Sequence, residues 1–174
     1  VSRYYVGIGS NLGGRLARLR AAVEQLAGVP GVTLGRFSGV WETRPMGPGT
    51  GPFLNAAVEL SYAIAGPERL LEEMLVIERG HGRLRRERWG DRTLDLDLLC
   101  GYANNDNSEI IADLPGLTLP HPELGARDFV LQPLVDIDPS LVIDGRSCAD
   151  LLAALADEER TLLRRFGSLA GGGA

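Results

Sequence analysis

The sequence predicts an α+β fold with a ferredoxin-like βαββαβ core, in which an antiparallel sheet carries helices on one face and accessory elements follow toward the C terminus. Three observations carry this expectation. Two stretches show helical spacing of apolar residues, two strand-like runs lie between them, and a further strand-like run stands at each end. One domain spanning residues 1–174 is expected, because 174 residues with 44% hydrophobic content suffice for a substantial core and no linker or internal repeat interrupts them.

Taken in order, Tyr4-Tyr5-Val6-Gly7-Ile8-Gly9 reads as a short buried strand ending in glycines, after which Ser10 or Asn11 is placed to cap a helix. Leu12, Leu16, Leu19, Val23 and Leu26 then recur at helical spacing to about Ala27, where Gly28 and Pro30 stop the helix. Val32 to Trp41 reads as one second strand, and the proline- and glycine-dense stretch from Thr43 to Pro52 as a loop. Phe53 to Tyr62 resumes strand character, with Ala56, Val58 and Leu60 on one face and Phe53 and Asn55 together on the other. Pro67 occupies a favoured first helical position, and Leu70, Leu71, Met74, Leu75 and Ile77 form an apolar face up to about Gly80. Among the accessory elements, Asn104 to Ser108 is a polar loop, Leu119-Pro120-His121-Pro122 an extended turn, and Phe129 to Leu134 and Ala149 to Leu155 short helices. A flexible tail is expected over about 168–174, where the last residues are Ala170-Gly171-Gly172-Gly173-Ala174.

The charge pattern restricts function most. Six arginines lie between Arg79 and Arg92 in a chain of net charge −5, and the segment runs directly into Asp95 and Asp97. In Thr93-Leu94-Asp95-Leu96-Asp97-Leu98-Leu99 the alternation puts both carboxylates on one face of a strand, roughly 7 Å apart by strand rise. Two carboxylates that close repel, so the arrangement calls for a cation, and Mg²⁺ suits it because it combines one or two carboxylates with phosphate oxygens and water. An isolated D-x-D is more often a solvated outer face. The arginine run shifts the balance, since planar bidentate donors are preferred where phosphate is gripped.

Other chemistries are disfavoured. No apolar stretch approaches the ~20 residues of a membrane span, and the start Val1-Ser2-Arg3-Tyr4-Tyr5 lacks a signal-peptide pattern, so no membrane role and a cytoplasmic location are expected. Two cysteines and two histidines leave little for a disulfide framework or a zinc site. All 18 basic residues are arginine, which excludes a Walker A loop, and the net negative charge argues against broad nucleic-acid binding. Gly7-Ile8-Gly9-Ser10-Asn11-Leu12-Gly13 invites a dinucleotide-binding reading, but its third glycine comes one position late and the following elements do not alternate as a parallel unit would. Phe53 beside Asn55 suits a flat heterocycle, although on these two residues alone core packing and a turn role is the simpler reading.

Together these pieces resemble the 6-hydroxymethyl-7,8-dihydropterin pyrophosphokinase family of folate biosynthesis. The resemblance rests on Gly7 to Gly13, Thr43-Arg44-Pro45-Met46-Gly47-Pro48, Phe53-Leu54-Asn55-Ala56-Ala57, Gly82-Arg83, the run from Glu87 to Asp97, Leu117 to Pro122, and Arg127-Asp128-Phe129-Val130. It implies an ATP-dependent diphosphotransferase, 2-amino-4-hydroxy-6-hydroxymethyldihydropteridine diphosphokinase, which moves diphosphate from ATP to the pterin hydroxymethyl group and releases AMP. By the same resemblance Asp95 and Asp97 hold two Mg²⁺ ions, Arg83 and Arg92 neutralise charge on the transferring group, and Arg85 closes over it. ATP contacts map to Glu78, Arg83, Arg88, Trp89, Arg92, Thr118, His121 and Arg127. The pterin is placed between Phe53 and Phe129, beside Asp95, with its polar edge read by Asn55 and by the backbone around Thr43 and Met46. The partners implied are these two small molecules, and a monomer is expected. Pro122 stands where the family often has tyrosine, the loop around Arg85 and Arg86 is about a residue shorter than in some relatives, and Asn104 to Ser108 looks inserted. An RNA-binding sheet, a nicotinamide-dependent oxidoreductase and a regulatory nucleotide-binding domain are the alternative readings.

Overall fold

The computed structural model describes residues 1–45, 47, 51–82 and 93–170. The first half follows the expected order: β1 (Ser2–Ser10), α1 (Arg15–Ala27), β2 (Val32–Phe37), β3 (Gly39–Thr43), β4 (Phe53–Tyr62), α2 (Pro67–Gly80) and β5 (Asp95–Ala103). The strand expected over Val32 to Trp41 is divided at Ser38. There the Ser38 N–H donates to the Ala57 carbonyl at 3.0 Å, while the Ser38 hydroxyl accepts the Ala57 N–H at 2.8 Å. A side chain thus takes a ladder position of the main chain, and β2 and β3 pair separately with opposite ends of β4.

Helix α1 also starts later than expected. Ser10 remains within β1 and donates its hydroxyl to the Thr93 carbonyl at 2.6 Å, and Asn11 donates to the Gly51 carbonyl at 3.3 Å. Both side chains are engaged in tertiary contacts, so Gly14 stands at the N-cap after a turn through Gly13, whose φ of +66° favours glycine. The helix then buries Leu19, Ala22, Val23 and Leu26. Truncating a fully buried leucine such as Leu19 to alanine removes packing worth about 2–5 kcal/mol.

The chain continues through the hairpin β6 (Ala112–Leu114) and β7 (Leu117–Leu119), a 3-10 turn at Leu124–Ala126, α3 (Asp128–Ile137), the hairpin β8 (Val142–Ile143) and β9 (Arg146–Ser147), α4 (Cys148–Ala154), and β10 (Leu162–Ser168). The central sheet has the order β10-β3-β4-β1-β5, with β2 also on β4, and all its pairings are antiparallel. The C-terminal part is therefore more than accessory, because β10 completes the sheet beside β3.

Helices cover both faces rather than one. Leu19 and Leu26 of α1 and Leu70 and Met74 of α2 pack on Val6, Ile8, Val58 and Leu60. On the opposite face Leu131 and Leu134 of α3 pack on Tyr5, Ala57, Leu99 and Cys100. The second face arises because Tyr5, Ala57 and Leu99 carry apolar surface on the parity opposite to the first core, and α3 supplies the matching cover.

A β-bulge sets the parity of β5. Tyr5 pairs with Cys100 and the next residue, Val6, pairs with Leu98, so Leu99 is an extra residue. Leu96 and Leu98 consequently join the α1/α2 core, while Leu99 and Cys100 both join the core under α3.

Candidate active site

The end of the second face that α3 leaves uncovered forms a cavity of about 250 Å³. Its floor is a row across the sheet. Asp95 on β5 pairs with Gly9 on β1, which pairs with Asn55 on β4, and one step along Asp97 pairs with Gly7, which pairs with Ala57. All six of these residues line the cavity. Close approach favours glycine at position 9, where a Cβ would lie 2.7 Å from Asn55 Oδ1, whereas a Cβ on Gly7 would meet the Leu99 side chain at an ordinary contact distance of 3.4 Å. Asn55 is oriented by donating from Nδ2 to Thr43 Oγ1 at 2.8 Å.

The opposite wall comes from α3 and the segment before it. Arg127 immediately precedes the helix, is only 9% exposed, forms an ion pair with Glu123, and stands 5.6 Å from the centroid of the Phe129 ring. His121 is carried into the cavity by its main chain, whose N–H donates to the Leu99 carbonyl at 2.7 Å. Its Nδ1 accepts the Glu123 N–H at 3.3 Å, so in the neutral ring Nε2 carries the proton. Burial pushes the imidazole below its usual pKa, the Arg127 guanidinium adds to that, and Asp95 opposes it. A neutral His121 can donate from Nε2 to a phosphate oxygen.

The donor set fits a hard divalent cation. Asp95 and Asp97 offer carboxylate oxygens to one space, and the glycine strand beside them leaves room for phosphate oxygens and water to complete a shell. Among the described residues no group of three or more histidine, cysteine, aspartate or glutamate side chains forms a metal cluster.

Of the expected site residues, Thr43, Phe53, Asn55, Asp95, Asp97, His121, Arg127 and Phe129 all line this cavity. Met46, Arg83, Arg85, Arg88, Trp89 and Arg92 lie outside the described residues. Glu78 is not part of the lining: it is 2% exposed at the end of α2 and accepts the Leu96 N–H at 2.7 Å. Thr118 stands exposed on β7, paired with Asp113. Arg44 and Glu123 line the cavity although the sequence reading gave them no role. For Glu123 a signal existed, since it precedes Arg127 by one helical turn, the spacing of an ion pair.

Comparison with known proteins shows the family. The family model described as 7,8-dihydro-6-hydroxymethylpterin-pyrophosphokinase (HPPK) matches residues 5–139. A 2-amino-4-hydroxy-6-hydroxymethyldihydropteridine pyrophosphokinase of Methylorubrum extorquens is 40% identical over 156 residues, covering 89% of this chain and 94% of the relative. The protein of the same name from Pseudomonas aeruginosa is 40% identical over 156 residues, covering 88% of this chain and 92% of its own. That of Mycobacterium tuberculosis is 36% identical over 174 residues, covering 95% and 90%. Among solved structures, a Plasmodium falciparum HPPK-DHPS crystallised with pteroate superposes with a TM-score of 0.62 at 12% identity, covering 87% of this chain and 42% of that one. At that identity the superposition speaks for the fold alone, and this chain spans less than half of the longer protein. The match over residues 5–139 and the relatives at 36–40% identity show that the chain belongs to the 7,8-dihydro-6-hydroxymethylpterin-pyrophosphokinase family.

Proposed function

We propose that this protein transfers diphosphate from ATP to the hydroxymethyl group of 6-hydroxymethyl-7,8-dihydropterin, giving AMP and the pterin diphosphate, a step of folate biosynthesis. The observation that carries the reading is the row Asp95–Gly9–Asn55, which sets a carboxylate and an amide on either side of a glycine strand in one cavity. A flat, polar-edged ring fits between Phe53 and Phe129, with its edge presented to Asn55 and Thr43. Aromatic walls supply contact area, and the amide rejects ligands without matching donors and acceptors.

Arg127 and the Nε2–H of His121 face the same space from the opposite wall and suit the phosphate chain. By motif, Arg83, Arg88, Trp89, Arg92 and Thr118 are assigned to ATP binding, with Arg83 and Arg92 neutralising charge on the transferring group and Arg85 closing over it. Glu78 supports the site from behind β5. Asp95 and Asp97 would hold Mg²⁺, read as two ions. Bound there, magnesium would offset the phosphate charge and lower the pKa of an alcohol beside it. The protein's own part is positioning: donors fixed in advance on rigid strands hold the alcohol and the phosphate chain in line.

One domain serves both substrates in this reading, since the two cores share one sheet, and the protein is read as a monomer. No described helix is long and apolar enough to cross a membrane, and a cytoplasmic location, where ATP is available, suits the reading. The net charge of −5 favours small-molecule substrates over nucleic acid. The deciding experiment incubates the protein with ATP, Mg²⁺ and the reduced pterin and separates the nucleotides. AMP formed only in the presence of pterin is expected. ADP formation, or no turnover, would refute the assignment.

A further inference from the structure

We propose that Asp128 and Thr161 form a clamp that fixes the separation of the two cavity walls, which makes Thr161 a positioning residue for the pterin subsite. The proposal rests on the reading that the pterin occupies the space between Phe53 and Phe129. Asp128 is the first residue of α3 and lies in sequence between Arg127 and Phe129, both of which line the cavity. Its own side chain turns away from that space and is 0% exposed. Oδ1 accepts the Thr161 hydroxyl at 2.5 Å, and Oδ2 accepts the main-chain N–H groups of Thr161 at 2.6 Å and Leu162 at 2.9 Å.

The other side of Thr161 leads to the opposite wall. Its carbonyl accepts the Arg44 N–H at 3.0 Å, and the next residue, Leu162, is the register partner of Thr43 where β10 meets β3. Thr43 in turn accepts the amide of Asn55. A continuous path therefore runs from Phe129 through Asp128 and Thr161 to Thr43 and Asn55, joining the aromatic wall to the amide that reads the ring edge. Hydrogen bonds to a buried carboxylate are short and directional, and they resist stretching more than apolar contact does. Arg127 has a brace of its own in Glu123, so the phosphate-facing side depends less on this link.

Neither Thr161 nor Leu162 lines the cavity. An effect on pterin binding at Thr161 would thus be transmitted through the clamp. Thr161→Val keeps the shape and both main-chain donors but removes the hydroxyl, and Thr161→Ser restores it. Steady-state kinetics and equilibrium pterin binding, measured with a non-transferable ATP analogue present, give the test. Thr161→Val should raise KM and Kd for the pterin about tenfold, the loss of roughly one hydrogen bond to a charged group. The KM for ATP should stay within about twofold, and Thr161→Ser should recover most of the pterin affinity. Unchanged pterin affinity in Thr161→Val, or equal losses for both substrates, would overturn the clamp.

A measurement on the unaltered protein keeps the idea testable even if the valine variant does not fold. The amides of Thr161 and Leu162 should gain hydrogen-exchange protection when pterin binds, and unchanged protection would overturn the proposal. Wild-type protein that binds no pterin at all would instead defeat the functional reading on which the clamp depends.

Discussion

The carboxylate of Glu78 accepts the main-chain N–H of Leu96 at 2.7 Å, at the residue between Asp95 and Asp97. Strand β5 lies at the edge of the central sheet, with β1 on one side only. Its outward polar groups must find partners elsewhere, and a buried acidic side chain from α2 supplies one. Glu78→Leu leaves that amide unsatisfied and should destabilise the protein by about 1–3 kcal/mol. Glu78→Gln keeps an acceptor oxygen and should lose less. Urea unfolding of both variants decides it, and equal losses would count against this role.

Gly9 and Gly7 make a paired prediction. A methyl group on Gly9 falls 2.7 Å from Asn55 Oδ1, while one on Gly7 meets Leu99 carbons no closer than 3.4 Å. Gly9→Ala should therefore displace Asn55 and raise the KM for pterin by roughly tenfold or more, since a misaligned polar reader costs at least a hydrogen bond. Gly7→Ala should change it far less. Similar kinetics for the two variants would show that the amide does not read the ring.

Asp97→Ala should abolish nearly all turnover, by about a thousandfold or more, because it removes half of the carboxylate pair proposed to hold magnesium. The side chain faces the cavity, so the fold should survive and thermal unfolding should move little. AMP release with a near-normal kcat would remove Asp97 from the mechanism.

His121 makes stability depend on pH. Its pKa in the folded protein is lowered chiefly by burial, then by Arg127, with Asp95 opposing. The unfolded chain then binds a proton more readily than the folded one, so the contribution is fully present above ~6.5 and is lost as pH falls toward the lower folded value. His81 is lowered as well, by burial and Arg18, so the comparison must isolate one ring. Between pH 7 and 5 the wild type should lose more stability than His121→Asn. Parallel loss in both would show that His121 titrates normally.

Cys100 and Cys148 are buried and free. Burial pushes the Cys148 thiol up to about 12 and the Cys100 thiol well above its usual value. Neither supplies thiolate at neutral pH, so alkylating reagents should label the protein only after denaturation. Rapid labelling of the native protein would contradict this.

Much of the first half was legible because its signals are local. The alternation in Thr93 to Leu99 put Asp95 and Asp97 on one face, and the parity of Phe53 and Asn55 put them together on the same side of the sheet. What the sequence hid depended on distant partners. Ser38 divides a strand only because Ala57 lies opposite, and Ser10 fails to cap α1 because Thr93 takes its hydroxyl. The run Leu162 to Ser168 carries Arg164 and Arg165 in place of apolar alternation, so nothing local marks it as a sheet strand. Its place beside β3 comes from long-range pairing, and Asp128 was visible only as one letter of a motif.

The extra residue in β5 has an effect on how the chain tolerates change. Leu99 offers its carbonyl to the His121 main chain, so the imidazole is moored to the same strand that bears the two aspartates. Everything from Ala103 to Leu119 is an excursion that leaves this mooring and returns to it. A change in length confined to the exposed Asn104 to Ser108 segment should leave the His121–Leu99 bond, and with it the imidazole, in place beside the acidic pair.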